Sequence, residues 1–135
     1  MANATNITVI TPAIKGTAAV TWSQVTNGSS ALTLNASVPS GGSIERMILM
    51  VKNDHTSIAL GVSVAASPNL PAYMGTVAAI AKTQLTAGAT MELGPFDRDL
   101  HNYNGALRVT FTPASGQLAF SAIGVGMPRY PRKTR

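Results

Sequence analysis

Strict alternation of apolar and polar residues limits the folds open to this chain more than any other feature. From Ala31 to Val38 the sequence reads Ala-Leu-Thr-Leu-Asn-Ala-Ser-Val, so Leu32, Leu34 and Ala36 fall in register with Val38. A period of two residues places these side chains on one face of an extended strand. Turn-forming residues flank the run on both sides, which is typical of a short strand in a β protein.

The rest of the chain repeats this pattern of short strand-like runs between turns. The run from Arg46 to Lys52 is almost wholly apolar and predicts a central strand buried on both faces. The run from Ser57 to Val64 predicts its antiparallel partner. Residues 77–82 fit a short helix and a strand equally well. The other predicted strands are residues 7–10, 17–25, 90–93, 106–112 and 117–125.

About eight short strands separated by turns predict an all-β fold, a single-domain β-sandwich that is jelly-roll-like. Both ends of the chain are predicted to be extensions. We expect an N-terminal arm over residues 1–16, the β-sandwich domain over 17–126 and a basic C-terminal tail over 127–135. Ile7, Val9 and Ile10 would cost free energy if the arm left them in water, so we expect them to pack on a neighbouring subunit by strand addition.

The positive charge of the chain is concentrated at its C-terminal end. The net charge is +5, yet the residues before Arg129 contain six basic and five acidic side chains, a balance of +1. The tail fits three interpretations: it neutralises nucleic-acid phosphates with Tyr130 stacked on a base, it docks on an acidic protein surface, or it stays in solvent. The tail residues that would make such contacts are Arg129, Tyr130, Arg132, Lys133 and Arg135.

Charged residues make up 11% of the chain, against about 25% in ordinary soluble domains. This deficit favours a surface that is largely covered by neighbouring subunits over a solvated surface rich in Thr, Ser and Asn. The chain has no cysteine, which excludes disulfides, thiolate metal sites and a cysteine nucleophile. The N-terminus lacks the basic and apolar regions of a signal peptide, so we expect synthesis and assembly in the cytoplasm.

The residues capable of chemistry are few and scattered. His55 follows Asp54, and His101 lies near Asp99, but the two histidines belong to different predicted loops with no motif spacing. The segment 97–99 reads Asp-Arg-Asp and lacks the alternating oxygen ligands and closing Glu of a calcium loop. Neither a nucleophile elbow nor a phosphate-binding loop is present. We therefore predict that the chain is not an enzyme and uses no metal or other cofactor.

One stretch carries a family resemblance. Residues 91–111 read MELGPFDRDLHNYNGALRVTF, and residues 118–125 read LAFSAIGV. This stretch resembles the C-terminal half of small β-sandwich structural proteins of tailed bacteriophage virions. In that family a Gly-Pro-Phe turn leads into a loop rich in Asn, Asp and Gly, and two closing strands end the domain. The chain departs from the family after Gly124, where Val-Gly-Met-Pro precedes a longer basic tail.

The resemblance implies a virion protein, first of all a capsid decoration (cement) protein that stabilises the head by bridging capsid subunits. It also implies a homo-oligomer, often a trimer, and the major capsid protein as partner. The apolar arm would then pack on a neighbouring subunit, and the tail cations would pair with acidic groups on the shell. The alternatives are a nucleic-acid-binding coat or packaging protein, and a tail or head–tail connector component. We expect no contact with a membrane.

Overall fold

The computed structural model of the chain describes residues 5–10, 21–28, 31–37, 47–68, 80–96, 98–101, 103 and 105–126. Within these ranges the chain forms nine β-strands and one helical turn, so the predicted all-β class is confirmed. The strands are β1 Val9–Ile10, β2 Ser23–Gly28, β3 Leu32–Ser37, β4 Met47–Asn53, β5 Leu60–Val64, β6 Ile80–Leu85, β7 Thr90–Leu93, β8 Ala106–Pro113 and β9 Leu118–Gly126, and the helical turn is α1 Arg98–His101.

The strands form two sheets that pack face to face. Sheet I has β9 in its interior, with β4 and then β7 on one side of β9. On the other side, β2 pairs with the first half of β9 and the two-residue β1 pairs with its end. Sheet II has the order β3-β8-β5-β6 and is antiparallel throughout. A two-sheet sandwich is therefore confirmed, while the jelly-roll connectivity stays a prediction.

The core lies between the sheets and follows the alternation in the sequence. Phe111 of sheet II stacks on Phe120 of sheet I with a ring-centroid distance of 3.9 Å and an interplanar angle of 17°. Both rings are fully buried, so their stacking fixes how the sheets meet. In β3 the predicted face is the buried one, because Leu34 and Ala36 enter the core while the residues between them are exposed. Val38, the last member of that pattern, lies outside the described residues.

Two expectations for the middle of the chain are wrong. The strand β4 is buried on one face only: Met47, Leu49 and Val51 enter the core, whereas the intervening Ile48 and Met50 are half-exposed. Its predicted antiparallel partner, β5, instead belongs to sheet II and pairs with β6 and β8. The chain crosses between the sheets in the turn after β4, and local sequence pattern does not distinguish this crossing from a hairpin. Residues 80–85 form a strand, which settles the helix-or-strand ambiguity for the part described.

The described part of the predicted arm is a strap that joins the two sheets. The amide of Ile7 donates to the carbonyl of Asn35 in sheet II (2.9 Å), and the amide of Gly124 in sheet I donates to the carbonyl of Thr8 (2.8 Å). Between these contacts the Ile7 side chain is 3% exposed and belongs to the chain's own core, against which Val9 also packs. This corrects the expectation that Ile7 packs on a neighbouring subunit: strand addition occurs within the chain, and the Ile7 side chain fills the chain's own core. The expected contacts of Val9 and Ile10 with a neighbour stay predictions.

Candidate functional site

The turn after β4 is held by a buried asparagine. The Asn53 side chain is 1% exposed, and its Nδ2 donates to the carbonyl of Ile58 (2.8 Å) and to that of Leu85 (2.9 Å). Its Oδ1 accepts a hydrogen bond from the amide of His55 (3.0 Å). The side chain therefore ties the end of β4 to the turn and to β6 of the opposite sheet. The sequence marked Asn53 as a turn residue but gave no sign that it would be buried.

His55 completes the same turn. Its Nδ1 accepts hydrogen bonds from the amides of Ser57 and Ile58, both at 3.1 Å. The lone pair of Nδ1 is thus engaged by the backbone, so this nitrogen is not available as a base or metal ligand. This agrees with the interpretation of His55 as a loop histidine, and it gives the side chain the turn-forming role usually filled by Asp or Asn.

Asp54 faces a serine of β9. The Ser121 hydroxyl donates to Asp54 Oδ2, and the Asp54 backbone amide donates to the carbonyl of Ala119 (3.0 Å). Lys52 Nζ lies 4.0 Å from Asp54 Oδ1, with half of the lysine side chain exposed, so this ion pair contributes little to stability. The adjacent Asp54 and His55 side chains thus serve separate structural contacts.

The second histidine region is only partly described. His101 ends α1, and its buried Nδ1 has no hydrogen-bond partner among the described residues. Asp97 and the side chains of Arg98 and Asp99 lie outside the described residues. Beyond the helical turn, Arg108 stacks over the ring of Tyr103 at 4.7 Å, which holds the loop against β8. Within the described parts of the chain, no three His, Asp or Glu side chains come close enough to hold a metal ion.

The Gly-Pro-Phe motif is an anchor for the core. Gly94 has a φ of 112°, and the Gly94–Pro95 peptide bond is cis. A Cβ at Gly94 would lie 2.8 Å from the carbonyl oxygen of Met47 and 2.9 Å from the ring of Phe96. Phe96 is 4% exposed and belongs to the core. The motif that carries the family resemblance therefore brings an aromatic ring back into the sandwich after β7.

The depression beside the His55 turn is too small to hold a substrate. It lies between that turn and the β8–β9 connection, near Leu60 and Leu118, and contains about 140 Å³ of open space. Ligand pockets typically enclose about 300–1,000 Å³.

The described side chains on the outer face of sheet II are mostly polar, and Arg108 is the charged one among them. In β3 the outward Thr33, Asn35 and Ser37 are all exposed. The hydroxyls of Thr33 and Thr110, cross-strand partners in β3 and β8, lie 3.0 Å apart. Outward residues of β5, β6 and β8 whose side chains the structure describes include Gly61, Ser63, Gln84, Arg108 and Thr112.

The outer face of sheet I is apolar at its centre. The register places Ile10, Val125 and Ile48 in one row across β1, β9 and β4. A second row has Ile123 of β9 beside Met50 of β4 and ends at Glu92 of β7. The third row is polar and is formed by Gln24, Ser121, Lys52 and Thr90. We call this surface the sheet I face.

The sheet I face contains both buried and half-exposed apolar side chains. Ile123 is 1% exposed yet is absent from the inter-sheet core cluster. Ile10, Ile48, Met50 and Val125 are half-exposed. Sequence reasoning missed this surface because it assigned the whole of β4 to the interior. The signal was present: apolar residues occupy both alternating positions of β4, and Lys52 appears only at the end of the outer set.

The predicted contact residues of the arm lie in three different environments. Of the arm residues, Ile7 is internal, Val9 packs on the core and Ile10 lies at the border of the sheet I face. The basic tail lies outside the described residues, so its contacts stay predictions; its members are Arg129, Tyr130, Arg132, Lys133 and Arg135.

No protein-family model, curated protein or solved structure matches this chain. Among the described residues, no helix has the length and apolar character needed to cross a membrane.

Proposed function

We propose that this chain is a structural protein of a bacteriophage virion, most specifically a capsid decoration (cement) protein that stabilises the head by bridging capsid subunits. The observation that carries the proposal is the low charge of the described side chains on both outer faces of the sandwich. Among the strand residues whose side chains the structure describes, the charged ones on these faces are Lys52, Glu92 and Arg108. The sequence resemblance of residues 91–125 to tailed-phage virion proteins supplies the biological setting.

Low charge favours docking because burying a charged group without a partner costs far more free energy than burying apolar or hydroxyl-bearing surface. The centres of protein interfaces are accordingly depleted of charged residues. A rigid sandwich with one hydroxyl-rich face and one apolar face offers two broad surfaces of this kind. We infer that the protein acts through its surfaces, which suits a subunit that bridges neighbours in a shell.

In this proposal the stabilisation is mechanical. Each bound subunit adds buried surface across a boundary between capsid subunits, so the shell resists internal pressure. Several weak contacts made at once give a high overall affinity without any single strong contact. The tail cations pair with acidic groups on the shell, and the proteins that this chain resembles imply a homo-oligomer, often a trimer.

Cosedimentation with capsid shells that lack the protein tests this function. The full chain is added to shells of its own phage, and shell-bound protein is measured against input at low and moderate salt. We expect saturable binding with a fixed number of copies per shell. A Thr112→Glu variant on the sheet II face and a Met50→Glu variant on the sheet I face show which surface binds. The absence of saturable binding at low salt would contradict the proposal.

The second candidate is a nucleic-acid-binding coat or packaging protein, favoured by the four cations within the last seven residues. Contacts to four phosphates give weak binding that falls steeply with salt and reads no sequence. A variant that ends at Pro128 keeps the sandwich and lacks the tail. A gel-shift titration at low salt supports this candidate if the full chain binds DNA or RNA and the shortened chain does not. Equal binding by both chains would show that the basic tail is not needed and would contradict this candidate.

The third candidate, a tail or head–tail connector component, differs in the assembly it forms. Light scattering during size-exclusion chromatography distinguishes a small closed oligomer from a ring or tube. A large ring or tube would replace the decoration proposal with this one.

A further inference from the structure

We infer that the sheet I face is a two-fold self-association surface, on which a second copy of this chain packs. The first observation is that the face has its own apolar cluster, separate from the core between the sheets. Ile123 is almost completely buried on the outward side of β9, beside the half-exposed Met50 in the same row. An apolar outer face remains incompletely buried in the single chain, and a partner would remove the remaining apolar surface from water.

The second observation is that the charges on the face complement each other. Glu92 of β7 pairs in register with Met50, and Lys52 lies one row further along β4, opposite Thr90. Both charged side chains are exposed, and among the described residues Lys52 forms its ion pair with Asp54, not with Glu92. The face therefore carries one positive and one negative group at adjacent positions on its border.

This arrangement is self-complementary under a two-fold axis. Strands lie about 4.8 Å apart and successive outward residues about 7 Å apart, so the positions form a regular grid. An axis that lies in the plane of the face and runs diagonally across it, between Ile123 and Met50, exchanges the position of Lys52 with that of Glu92. Each Lys52 then faces the Glu92 of the second copy, which gives two ion pairs beside an apolar centre. An isologous contact of this kind closes at two copies.

The area of the sheet I face limits the affinity that we expect for the dimer. Four strands and three rows of outward residues span roughly 300 Å² per copy on the same grid. Stable dimers bury about 800 Å² on each partner, so this contact belongs to the weak class. We expect a reversible dimer with a dissociation constant on the order of ten micromolar.

Trp22 provides a built-in reporter. It is the single tryptophan of the chain, and Ser23, which follows it, pairs with Ala122. That register places Trp22 beside Ile123 at the border of the sheet I face. We therefore expect its fluorescence emission to shift to shorter wavelength as the protein concentration rises, because association removes its half-exposed indole from water.

Sedimentation equilibrium with charge-reversed variants tests the inference. Glu92→Lys places lysine opposite Lys52 of the second copy, and we expect it to weaken the dimer about tenfold. The double variant Lys52→Glu with Glu92→Lys restores opposite charges, so its dissociation constant should return to within about threefold of the original. Met50→Glu places two carboxylates near the axis and should abolish association. Thr112→Glu, with the same added charge on sheet II, should leave association unchanged.

Three outcomes would overturn the inference. The first is a monomer at concentrations about a hundredfold above the expected dissociation constant. The second is an oligomer, dimer or trimer, that Met50→Glu leaves intact. The third is a double variant that is no stronger than Glu92→Lys alone. Thermal melts of each variant confirm that the sandwich is folded. The inference does not depend on the proposed function, because these measurements need no capsid.

Discussion

Replacing Asn53 with alanine should destabilise the sandwich more than any other single polar substitution among the described residues of the turn after β4. The substitution removes two hydrogen bonds from Nδ2, to the carbonyls of Ile58 (2.8 Å) and Leu85 (2.9 Å), and one to Oδ1 from the amide of His55 (3.0 Å). At about 1 kcal/mol for each net hydrogen bond, the loss is about 3 kcal/mol. The backbone groups at a 1%-exposed site lose their partner and gain little water in return, which places the loss in the upper part of the range.

The assay is urea denaturation at equilibrium, followed by the fluorescence of Trp22. In a thermal melt of the same variant, a loss of about 3 kcal/mol should lower the melting temperature by about 10 °C for a chain of this size. Asn35→Ala is the matched control, because Asn35 is exposed in β3 and its described contact to Ile7 is made by the backbone carbonyl. We expect the control to change the free energy of unfolding by less than about 0.5 kcal/mol. If the two variants were equally stable, the role assigned to the Asn53 side chain would be refuted.

Two further predictions concern the turns. Gly94→Ala should lower the free energy of unfolding by about 3 kcal/mol, because the φ of Gly94 is 112° and the new Cβ would lie 2.8 Å from the backbone oxygen of Met47. Gly88→Ala is the control, because Gly88 has a φ of 77° and open space around it. In the same urea titration it should lower the free energy of unfolding by only about 1 kcal/mol. Equal losses would mean that the close approach at Gly94 does not matter. His55→Ala should cost about 1 kcal/mol because two amide donors lose the Nδ1 acceptor, whereas His55→Asn should keep most of the stability through its Oδ1. Hydrogen exchange at Ser57 and Ile58 measures this difference, and protection that survives in the alanine variant would contradict it.

The sequence predicted the fold class because alternation is a local property. In β3, Leu34 and Ala36 face the core as their spacing requires. In β8 and β9, aromatic residues with the same period place Phe111 and Phe120 where the sheets meet. A local pattern identifies a strand and its buried face, and for these strands it was sufficient.

The pattern could not predict which strands pair, because pairing depends on contacts between residues far apart in sequence. The partner assigned to β4 illustrates this limit: β5 follows it closely, yet β9 and β7 are its neighbours. The position of the N-terminal apolar residues could not be predicted for a related reason. Three apolar residues near an end look alike whether they fill the chain's own core or a neighbour's, and only the structure shows that Ile7 seals the gap between Asn35 and Gly124.

The sheet I face was not predicted from the sequence because its residues are apolar. An apolar residue in a strand is normally taken as buried, so Ile48 and Met50 were assigned to the interior. Their half-exposed position depends on sheet I having one face without a covering sheet in the described chain. The burial of Asn53 could not be predicted either, because its partners in the turn and in β6 are brought together only by the fold.

The central claim, that this protein reinforces a phage head, is tested most directly by scanning calorimetry of capsid shells. Shells that lack the protein are heated alone and after saturation with the full chain, and the temperature at which the shell comes apart is compared. The account predicts a clear rise that grows with occupancy and levels off when the sites are full, because binding to the intact shell stabilises it. Saturable binding without any rise in the disruption temperature would contradict the claim.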